Sequence, residues 1–217
     1  MNGMNEGIRF DLEYETMPWH KVDAVVFDIG NILIRYAPDH FLEILFPGEE
    51  RKQREMLERV YQGPYWPSFD RGTMSYEEAA HRLVEQFGGT YEDYMHALRG
   101  WIEIKTPIEE GWRAAERCRR AGKRLYLLSN YPQEGYMRMR EKFADRFRVF
   151  DGGVISCFCH HLKPEPAMYQ TLIDTCGLTP QKSLFIDDTL ANVEGAIKMG
   201  IHGFHMHENG MMDRFFL

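Results

Sequence analysis

Hydrophobic positions along this chain form two kinds of pattern, and the first is a short apolar run at residues 22–27. The run is nearly continuous and rich in β-branched and aromatic residues, which favours a parallel strand covered on both faces over a half-exposed edge strand. It ends at Asp28, with Gly30 and Asn31 close behind. The pattern therefore predicts a carboxylate at the carboxyl end of a central strand.

The second pattern is helical and extends from residue 36 to about residue 105. Apolar residues recur there at helical spacing, and no strand-like run interrupts them. Ser75, followed three residues later by Glu78, is a capping box that marks one helix start, and another helix is predicted over residues 91–101. This stretch is typical of a helical insertion.

After Pro107 the pattern alternates regularly between strands and helices of crossover length. Such alternation predicts an α/β fold with a Rossmann-like parallel sheet and helices on both faces, and in such sheets ligands bind beyond the carboxyl ends of the strands. Helices are predicted over 109–120, 132–147, 164–176 and 191–199, and strands over 123–128, within 149–156, over 183–186 and over 201–206.

These patterns predict three parts of the chain. Residues 21–34 and 107–217 are expected to form the core domain, and residues 35–106 an inserted α-helical subdomain. Residues 1–20 are expected to be an N-terminal extension, because they contain several acidic residues and no apolar stretch, which also argues against a secretory signal.

Composition narrows the class of protein. The 217 residues are 44% hydrophobic and 27% charged, enough for one domain with an insertion. A formal net charge of −7 argues against nucleic-acid binding, and no apolar run approaches the ~20 residues of a membrane span. Four cysteines without a signal sequence are typical of free thiols. We expect a soluble, cytoplasmic protein with neither nucleic-acid nor membrane partners, and the oligomeric state stays open.

Polar residues follow several of the predicted elements and fall at one edge of the sheet. They are Asp28, Ser129 with Asn130, Lys163, and Asp187 with Asp188. Each alone is more often a turn or loop residue. Their shared position makes them candidate site residues as a set.

In order and context these residues resemble the four motifs of the haloacid dehalogenase superfamily. The motifs are carried by Phe27-Asp28-Ile29-Gly30-Asn31-Ile32-Leu33, by Leu128-Ser129-Asn130, by Leu162-Lys163-Pro164-Glu165-Pro166, and by Phe185-Ile186-Asp187-Asp188 with Asn192. The match spans residues 22 to about 204. The resemblance implies a core of that superfamily, with the helical insertion in the place of a cap that supplies most substrate contacts.

The same residues suggest phosphoryl transfer on chemical grounds. The carboxylate of Asp28 can attack phosphorus and form an aspartyl-phosphate, which splits one hard transfer into two easier steps. The Ser129 hydroxyl and the Asn130 backbone N–H can donate to phosphoryl oxygens, while Lys163 supplies positive charge where charge accumulates. Asn31 is a further candidate phosphate contact. The predicted catalytic residues are thus Asp28, Ser129 and Lys163.

Charge counting at this edge predicts a divalent cation. Asp28, Asp187 and Asp188 against Lys163 leave a charge of −2, which one divalent cation would neutralise before substrate arrives. Mg²⁺ suits such an oxygen-only site. The resemblance implies that Asp188 is a direct ligand, that Asp187 acts directly or through water, and that Asp28 and the backbone carbonyl of Gly30 also bind the metal.

Gly30 departs from the pattern of many superfamily members. They carry there a second Asp that serves as general acid and base, help worth roughly 10²–10⁴-fold in rate. Its absence argues against a phosphomutase, and the Asp-x-Gly-Asn variant is similar to sugar-phosphate phosphatases, an α-glucose-1-phosphate phosphatase among them. Without a resident acid we expect sugar 1-phosphates and aryl phosphates to react faster than sugar 6-phosphates.

Three functions are compatible with these residues. The first is a Mg²⁺-dependent phosphatase for a small phosphorylated metabolite, a sugar phosphate being the favoured class. The second is a 2-haloacid dehalogenase, which the resemblance describes as using the same Asp28 against carbon without metal; paired Asp187 and Asp188 disfavour it. The third is a weakly catalytic binding or regulatory protein, because fold alone never implies activity.

Two other clusters have simpler interpretations. Cys157, Cys159 and the histidines that follow look like a soft-metal site, but no second cysteine pair exists, and a strand followed by a loop explains the spacing. Tyr61, Tyr65 and Trp66 are expected to pack inside the insertion, with stacking on a sugar as the alternative.

Overall fold

The computed structural model describes residues 19–208 and 210–215, so the predicted extension over residues 1–20 lies almost wholly outside the described residues. Five parallel strands form one sheet in the order β3-β2-β1-β4-β5, which confirms the predicted α/β class. The strands are β1 (Ala24–Phe27), β2 (Arg124–Ser129), β3 (Gly152–Ile155), β4 (Ser183–Asp187) and β5 (His202–His205).

The central strand β1 is buried on both faces, as its composition predicts. Val25 and Phe27 belong to the apolar cluster on one face of the sheet, and Ala24 and Val26 belong to the cluster on the other. Successive side chains of a strand point to opposite faces, so an uninterrupted apolar run requires packing on both sides.

Besides a 3-10 turn at Pro180–Lys182, seven α-helices follow Pro107 in the described part of the chain. They are α6 (Glu109–Arg120), α7 (Gln133–Lys142), α8 (Ala144–Phe147), α9 (Ser156–Cys159), α10 (Pro166–Cys176), α11 (Leu190–Lys198) and α12 (Met211–Phe215), numbered after the five helices of the insertion given below. Trp112 and Cys118 of α6 join the first apolar cluster, whereas Met168 and Leu172 of α10 join the second. Helices thus cover both faces of the sheet.

Over residues 35–106 the regular elements are all helices, as the periodicity predicts. Over residues 35–106, all of which are described, the structure contains α1 (Pro38–Leu45), α2 (Glu50–Met56), a π-helical turn (Leu57–Tyr61), α3 (Trp66–Asp70), α4 (Tyr76–Phe87) and α5 (Tyr91–Gly100). The capping box is present, since the Ser75 hydroxyl accepts a hydrogen bond of 3.1 Å from the Glu78 N–H. We call residues 35–106 the inserted helices.

Two local predictions were wrong. The helix predicted over residues 132–147 is broken at Phe143, whose backbone (φ −116°, ψ 27°) is not helical. Met139, Phe143 and Phe147 keep a spacing of four residues across the break, so the apolar pattern does not reveal it. The strand and loop predicted for Cys157 and Cys159 form instead the single turn α9, which His160 ends in a left-handed conformation (φ 61°). Four residues are too few for spacing to distinguish a helical turn from a strand.

Among the described residues, no helix combines the length and the apolar character needed to cross a bilayer. Glycines mark the ends of two helices after the insertion. Gly177 (φ 58°) follows α10 and Gly200 (φ 80°) follows α11, each in the left-handed conformation that glycine adopts without strain.

Candidate active site

The carboxyl edge of the sheet brings the predicted polar residues together. In the register of the central strands Phe27 lies beside Ile186, so Asp28 comes level with Asp187, and the Asp28 N–H donates to the Ile186 carbonyl at 2.9 Å. Ser129 is the last residue of β2, on the other side of β1. Parallel strands end at one edge, and three strand-end residues therefore face one site.

Lys163 joins two of these carboxylates. Its Nζ atom lies 2.8 Å from Oδ1 of Asp28 and 2.6 Å from Oδ2 of Asp187, and the three residues are only 5%, 7% and 0% exposed. In a buried setting such a pair is favourable only with good geometry and further hydrogen bonds. Asp187 receives further hydrogen bonds from its neighbours, and the backbone of Lys163 is held in place as well.

The side chain of Asn130 holds the backbone of Lys163 at two points. Its Oδ1 accepts from the Lys163 N–H at 2.8 Å, and its Nδ2 donates to the Lys163 carbonyl at 3.1 Å. Sequence reasoning assigned Asn130 only a backbone contact with phosphate and missed this role, for which residues 33 positions apart give no local signal.

Asp187 is held from α11 and from the loop before it. The Asn192 amide lies 3.1 Å from each carboxylate oxygen, and the Thr189 N–H donates to Oδ1 at 2.8 Å. Asn192 is therefore a positioning residue for Asp187. This role explains why an asparagine follows the fourth motif.

Asn31 supports the neighbouring carboxylate of Asp188. Its Nδ2 donates to Oδ2 of Asp188 at 3.0 Å, while its Oδ1 accepts from the Tyr36 N–H, also at 3.0 Å. Asn31 has a left-handed backbone (φ 51°), a conformation that asparagine tolerates better than most residues. The direct contact with phosphate predicted for Asn31 stays a prediction.

The three carboxylates fit a divalent cation. Asp28, Asp187 and Asp188 each offer an oxygen, and these oxygens lie within 4.8 Å of one another. Gly30 and Asn31 line a cavity that Asp28 and Asp188 also line, so the Gly30 backbone lies near this group of carboxylates. An all-oxygen donor set with an excess of negative charge suits Mg²⁺.

Burial shifts the protonation equilibria of this group. It raises the pKa of Asp28 to about 6, against the attraction of Lys163, and the negative charge of Asp187 adds to the rise. Burial alone would lower the pKa of Lys163, but Asp187 and Asp28 raise it above its ordinary value. Burial also raises the pKa of Asp188, and the Asn31 hydrogen bond opposes the shift. Lys163 is thus a cation beside Asp28, whose anionic form is disfavoured by burial.

A cavity of about 350 Å³ opens above these residues, and much of its wall is aromatic. The aromatic lining residues are Tyr36, Tyr61, Trp66, Trp101 and Tyr131. Trp66 also packs against Tyr61 and Trp101, with ring centroids 5.1 and 5.8 Å apart, so packing and lining are combined. Tyr65 lies outside this wall and hydrogen bonds to Gln86.

Lys105 is a buried amine in the same wall, and the sequence analysis did not identify it. Its Nζ atom lies 4.6, 4.4 and 5.9 Å from the ring centroids of Tyr36, Trp101 and Tyr131. Burial lowers the pKa of Lys105 to about 7, against the attraction of Asp28. A single lysine after a helical stretch carries no signal in the sequence that would have identified it.

Comparison with known proteins agrees with this architecture. The family model of the haloacid dehalogenase-like hydrolases matches residues 22–200. The sesquiterpene phosphatase astK of Aspergillus oryzae is 22% identical over 86% of this chain and 90% of its own length. The enolase-phosphatase E1 of Xenopus tropicalis is 25% identical over 76% of this chain and 60% of its own length.

Solved structures share the fold. A HAD-family enzyme of Bacteroides thetaiotaomicron, in complex with magnesium and inorganic phosphate, superposes with a TM-score of 0.66 at 17% identity, over 87% of this chain and 97% of the other. The L-2-haloacid dehalogenase of Xanthobacter autotrophicus gives a TM-score of 0.62 at 18% identity, over 89% and 81%. The chain belongs to the haloacid dehalogenase-like hydrolases and is an enzyme of that family.

Proposed function

We propose that this haloacid dehalogenase-like hydrolase is a Mg²⁺-dependent phosphatase for a small phosphomonoester. The observation that carries the proposal is the buried pair of Asp28 and Asp187 joined by Lys163, with Asp188 beside it at the base of a cavity. Relatives named as phosphatases support it, as does the family enzyme of B. thetaiotaomicron that holds magnesium and phosphate.

Each residue has a defined part in the proposed reaction. An oxygen of Asp28 attacks phosphorus, the bond to the leaving oxygen breaks, and an aspartyl-phosphate forms. Water then attacks this phosphorus and releases phosphate and the free carboxylate. Lys163, the Ser129 hydroxyl and the Asn130 backbone N–H are placed to stabilise the charge on the phosphoryl oxygens.

Mg²⁺, bound by Asp28, Asp187, Asp188 and the Gly30 carbonyl, would neutralise the surplus negative charge of the site and help to orient the phosphoryl group. Attack on carbon, as in a haloacid dehalogenase, gains nothing from a second and third carboxylate beside the nucleophile. The carboxylate pair on β4 and its loop therefore favours phosphorus over carbon.

We also propose the division of labour within the chain. Residues 21–34 and 107–217 form the catalytic core, and the inserted helices form a cap whose aromatic wall contacts the organic group of the substrate. A sugar phosphate is the proposed class, because sugar rings stack on aromatic faces and Lys105 adds a polar contact. A cytoplasmic location is proposed because all four cysteines are free thiols.

The test is a phosphate-release assay over a panel of sugar phosphates, aryl phosphates and prenyl monophosphates, with and without Mg²⁺. 2-Chloropropionate serves as the dehalogenase control. Release of phosphate that requires Mg²⁺ supports the proposal, and chloride release without metal contradicts it. Faster turnover of prenyl than of sugar phosphates would retain the phosphatase and replace the sugar by an isoprenoid group, as in the relative named sesquiterpene phosphatase.

A further inference from the structure

Because residue 30 is a glycine, the proposed site lacks the general acid and base that many superfamily members carry at this position. The inserted helices bring another carboxyl group to the cavity above Asp28. Asp70 is the last residue of α3 and lines the cavity together with Asp28, Ser129 and Lys163. It stands more than forty positions away from Asp28 in the chain, and no motif of the sequence includes it.

The carboxyl group of Asp70 has a free oxygen. Its Oδ1 is buried and has no hydrogen-bond partner in the part of the chain that the structure describes. A buried acceptor without a partner is costly, and each such case calls for a specific explanation. A ligand that donates a hydrogen bond in the cavity would satisfy this oxygen, and a proton on the carboxyl group would remove the cost of burying its charge.

Burial also moves Asp70 toward the range in which acids and bases work near neutrality. It raises the pKa of Asp70 to about 7; Lys163 opposes the rise and Asp28 adds to it. The other ionisable groups that face it are Tyr36, Tyr76, Tyr131 and Cys157, and burial raises the pKa of each above its ordinary value. All four are therefore neutral at pH 7. Asp28 and Lys163 are the charged groups that shift the pKa of Asp70, and Lys105 and Asp188 line the same cavity.

The main chain at Asp70 is docked firmly on the core. The hydroxyl of the buried Ser156 donates to the Asp70 carbonyl at 2.5 Å. Arg71 makes two hydrogen bonds with Glu165, of 2.5 and 3.1 Å, two residues after Lys163. Gly72 lies so close to Cys157 that a Cβ at residue 72 would come within 2.4 Å of the Cys157 carbonyl oxygen. The core thus fixes the place of Asp70 relative to Lys163.

We propose that Asp70 is the general acid and base of this phosphatase, in the role that Gly30 cannot fill. As the bond from phosphorus to the leaving oxygen breaks, the protonated Asp70 gives its proton to that oxygen, and the alcohol departs. The Asp70 carboxylate then takes a proton from the water that attacks the phosphorus of phospho-Asp28. Phosphate leaves, and both aspartates return to their starting states. This proposal rests on the proposed function.

Asp70 changes the leaving-group expectation that follows from Gly30. With a resident acid, the rate of the first transfer depends weakly on the basicity of the leaving oxygen. Without one, the leaving oxygen departs as an anion, and poor leaving groups suffer most. The variant Asp70→Asn should therefore separate substrates by their leaving groups.

The experiment measures single-turnover release of the leaving group from 2,4-dinitrophenyl, 4-nitrophenyl and phenyl phosphates and from one alkyl phosphate. For Asp70→Asn we expect about a 100-fold loss or more with phenyl and alkyl phosphates and less than about threefold with dinitrophenyl phosphate. The exposed cap carboxylate Asp39, changed to Asn, is the matched control and should leave every rate unchanged. Thermal melting of each variant checks the fold.

A rescue variant distinguishes an acid from a structural carboxyl group. A Cβ at Gly30 would meet only Asp28 Oδ2, at 3.9 Å, so the first carbon of a side chain is accommodated there. Adding Gly30→Asp to Asp70→Asn should restore at least about a tenth of the lost rate with alkyl phosphates. A parallel loss for all leaving groups, or no loss, overturns the role of Asp70 while wild-type turnover still supports the phosphatase. Absence of phosphate release from the wild type refutes the proposed function itself.

Discussion

Replacing Asp28 by Asn is expected to abolish turnover and to make the metal-free protein more stable. The amide is nearly isosteric with the carboxylate but is not a nucleophile, so less than a tenth of the wild-type rate should remain. Asp28 is buried at a site that holds two further carboxylates and one lysine. Removing its charge relieves a desolvation penalty that the metal-free fold otherwise bears.

The magnitude follows from the protonation equilibrium. Burial raises the pKa of Asp28 from 3.8 to about 6, despite the attraction of Lys163. At about 1.36 kcal/mol for each pH unit between 3.8 and about 6, this corresponds to a penalty of about 3 kcal/mol in the free energy of unfolding. Because the folded-state pKa is the higher one, the penalty is absent below pH 3.8, grows as the pH rises, and is complete above pH 6.

The assay is urea unfolding of wild type and Asp28→Asn in EDTA at two pH values. At pH 8 the variant should be more stable by about 3 kcal/mol, and at pH 4.5 by about 1 kcal/mol. Mg²⁺ should stabilise the wild type more than the variant, since a ligand that binds only the folded state stabilises by mass action. Asp39→Asn, which removes an exposed carboxylate, is the control.

A variant that is no more stable than the wild type at pH 8 would refute the reasoning. So would a stability difference that is the same at both pH values, because the penalty would then not come from an ionised Asp28. Retention of more than a tenth of the wild-type rate would exclude Asp28 as the nucleophile, whatever the stability.

The remaining predictions concern the groups around this carboxylate. Lys163→Met should destabilise the protein by about 3 kcal/mol and remove turnover, because Asp28 and Asp187 lose their buried partner. Lowered stability with intact turnover would make the lysine purely structural. Asp188→Asn should raise the Mg²⁺ concentration for half-maximal rate by at least about tenfold, and an unchanged requirement in a metal titration would place the ligand elsewhere. Glu165→Gln should cost less than about 1 kcal/mol, because its bridge to Arg71 is partly exposed, yet it should speed amide hydrogen exchange over residues 70–72; unchanged exchange would contradict the docking role.

Much of the fold could be predicted from short-range pattern. Residues 24–27 are apolar without interruption, and this lack of alternation indicates a strand covered on both faces. Ser75 with Glu78, and Gly177 after α10, mark helix ends through backbone chemistry that involves only neighbouring residues. Such signals survive in the sequence because their physical causes lie within a few residues.

The carboxyl edge of the sheet could also be predicted, because parallel strands end together. Asp28, Ser129 and Asp187 each end or follow a predicted strand, so topology alone brings them to one edge. The hydrogen bonds that these residues make could not be predicted from the sequence. The two hydrogen bonds between the Asn130 side chain and the Lys163 backbone join residues 33 positions apart. They depend on where the loop before α10 crosses the carboxyl edge of the sheet.

Only the tertiary structure decided which residues the inserted helices bring to this edge. Asp70 and Lys105 resemble any aspartate and lysine at the end of a helical stretch, and their burial arises when the inserted helices dock on the core. The docking depends on many weak contacts, such as Ser156 with the Asp70 carbonyl and Gly72 against Cys157. No single one leaves a pattern in the sequence, because burial and the pKa shifts that follow from it belong to the packed surfaces and not to the residues.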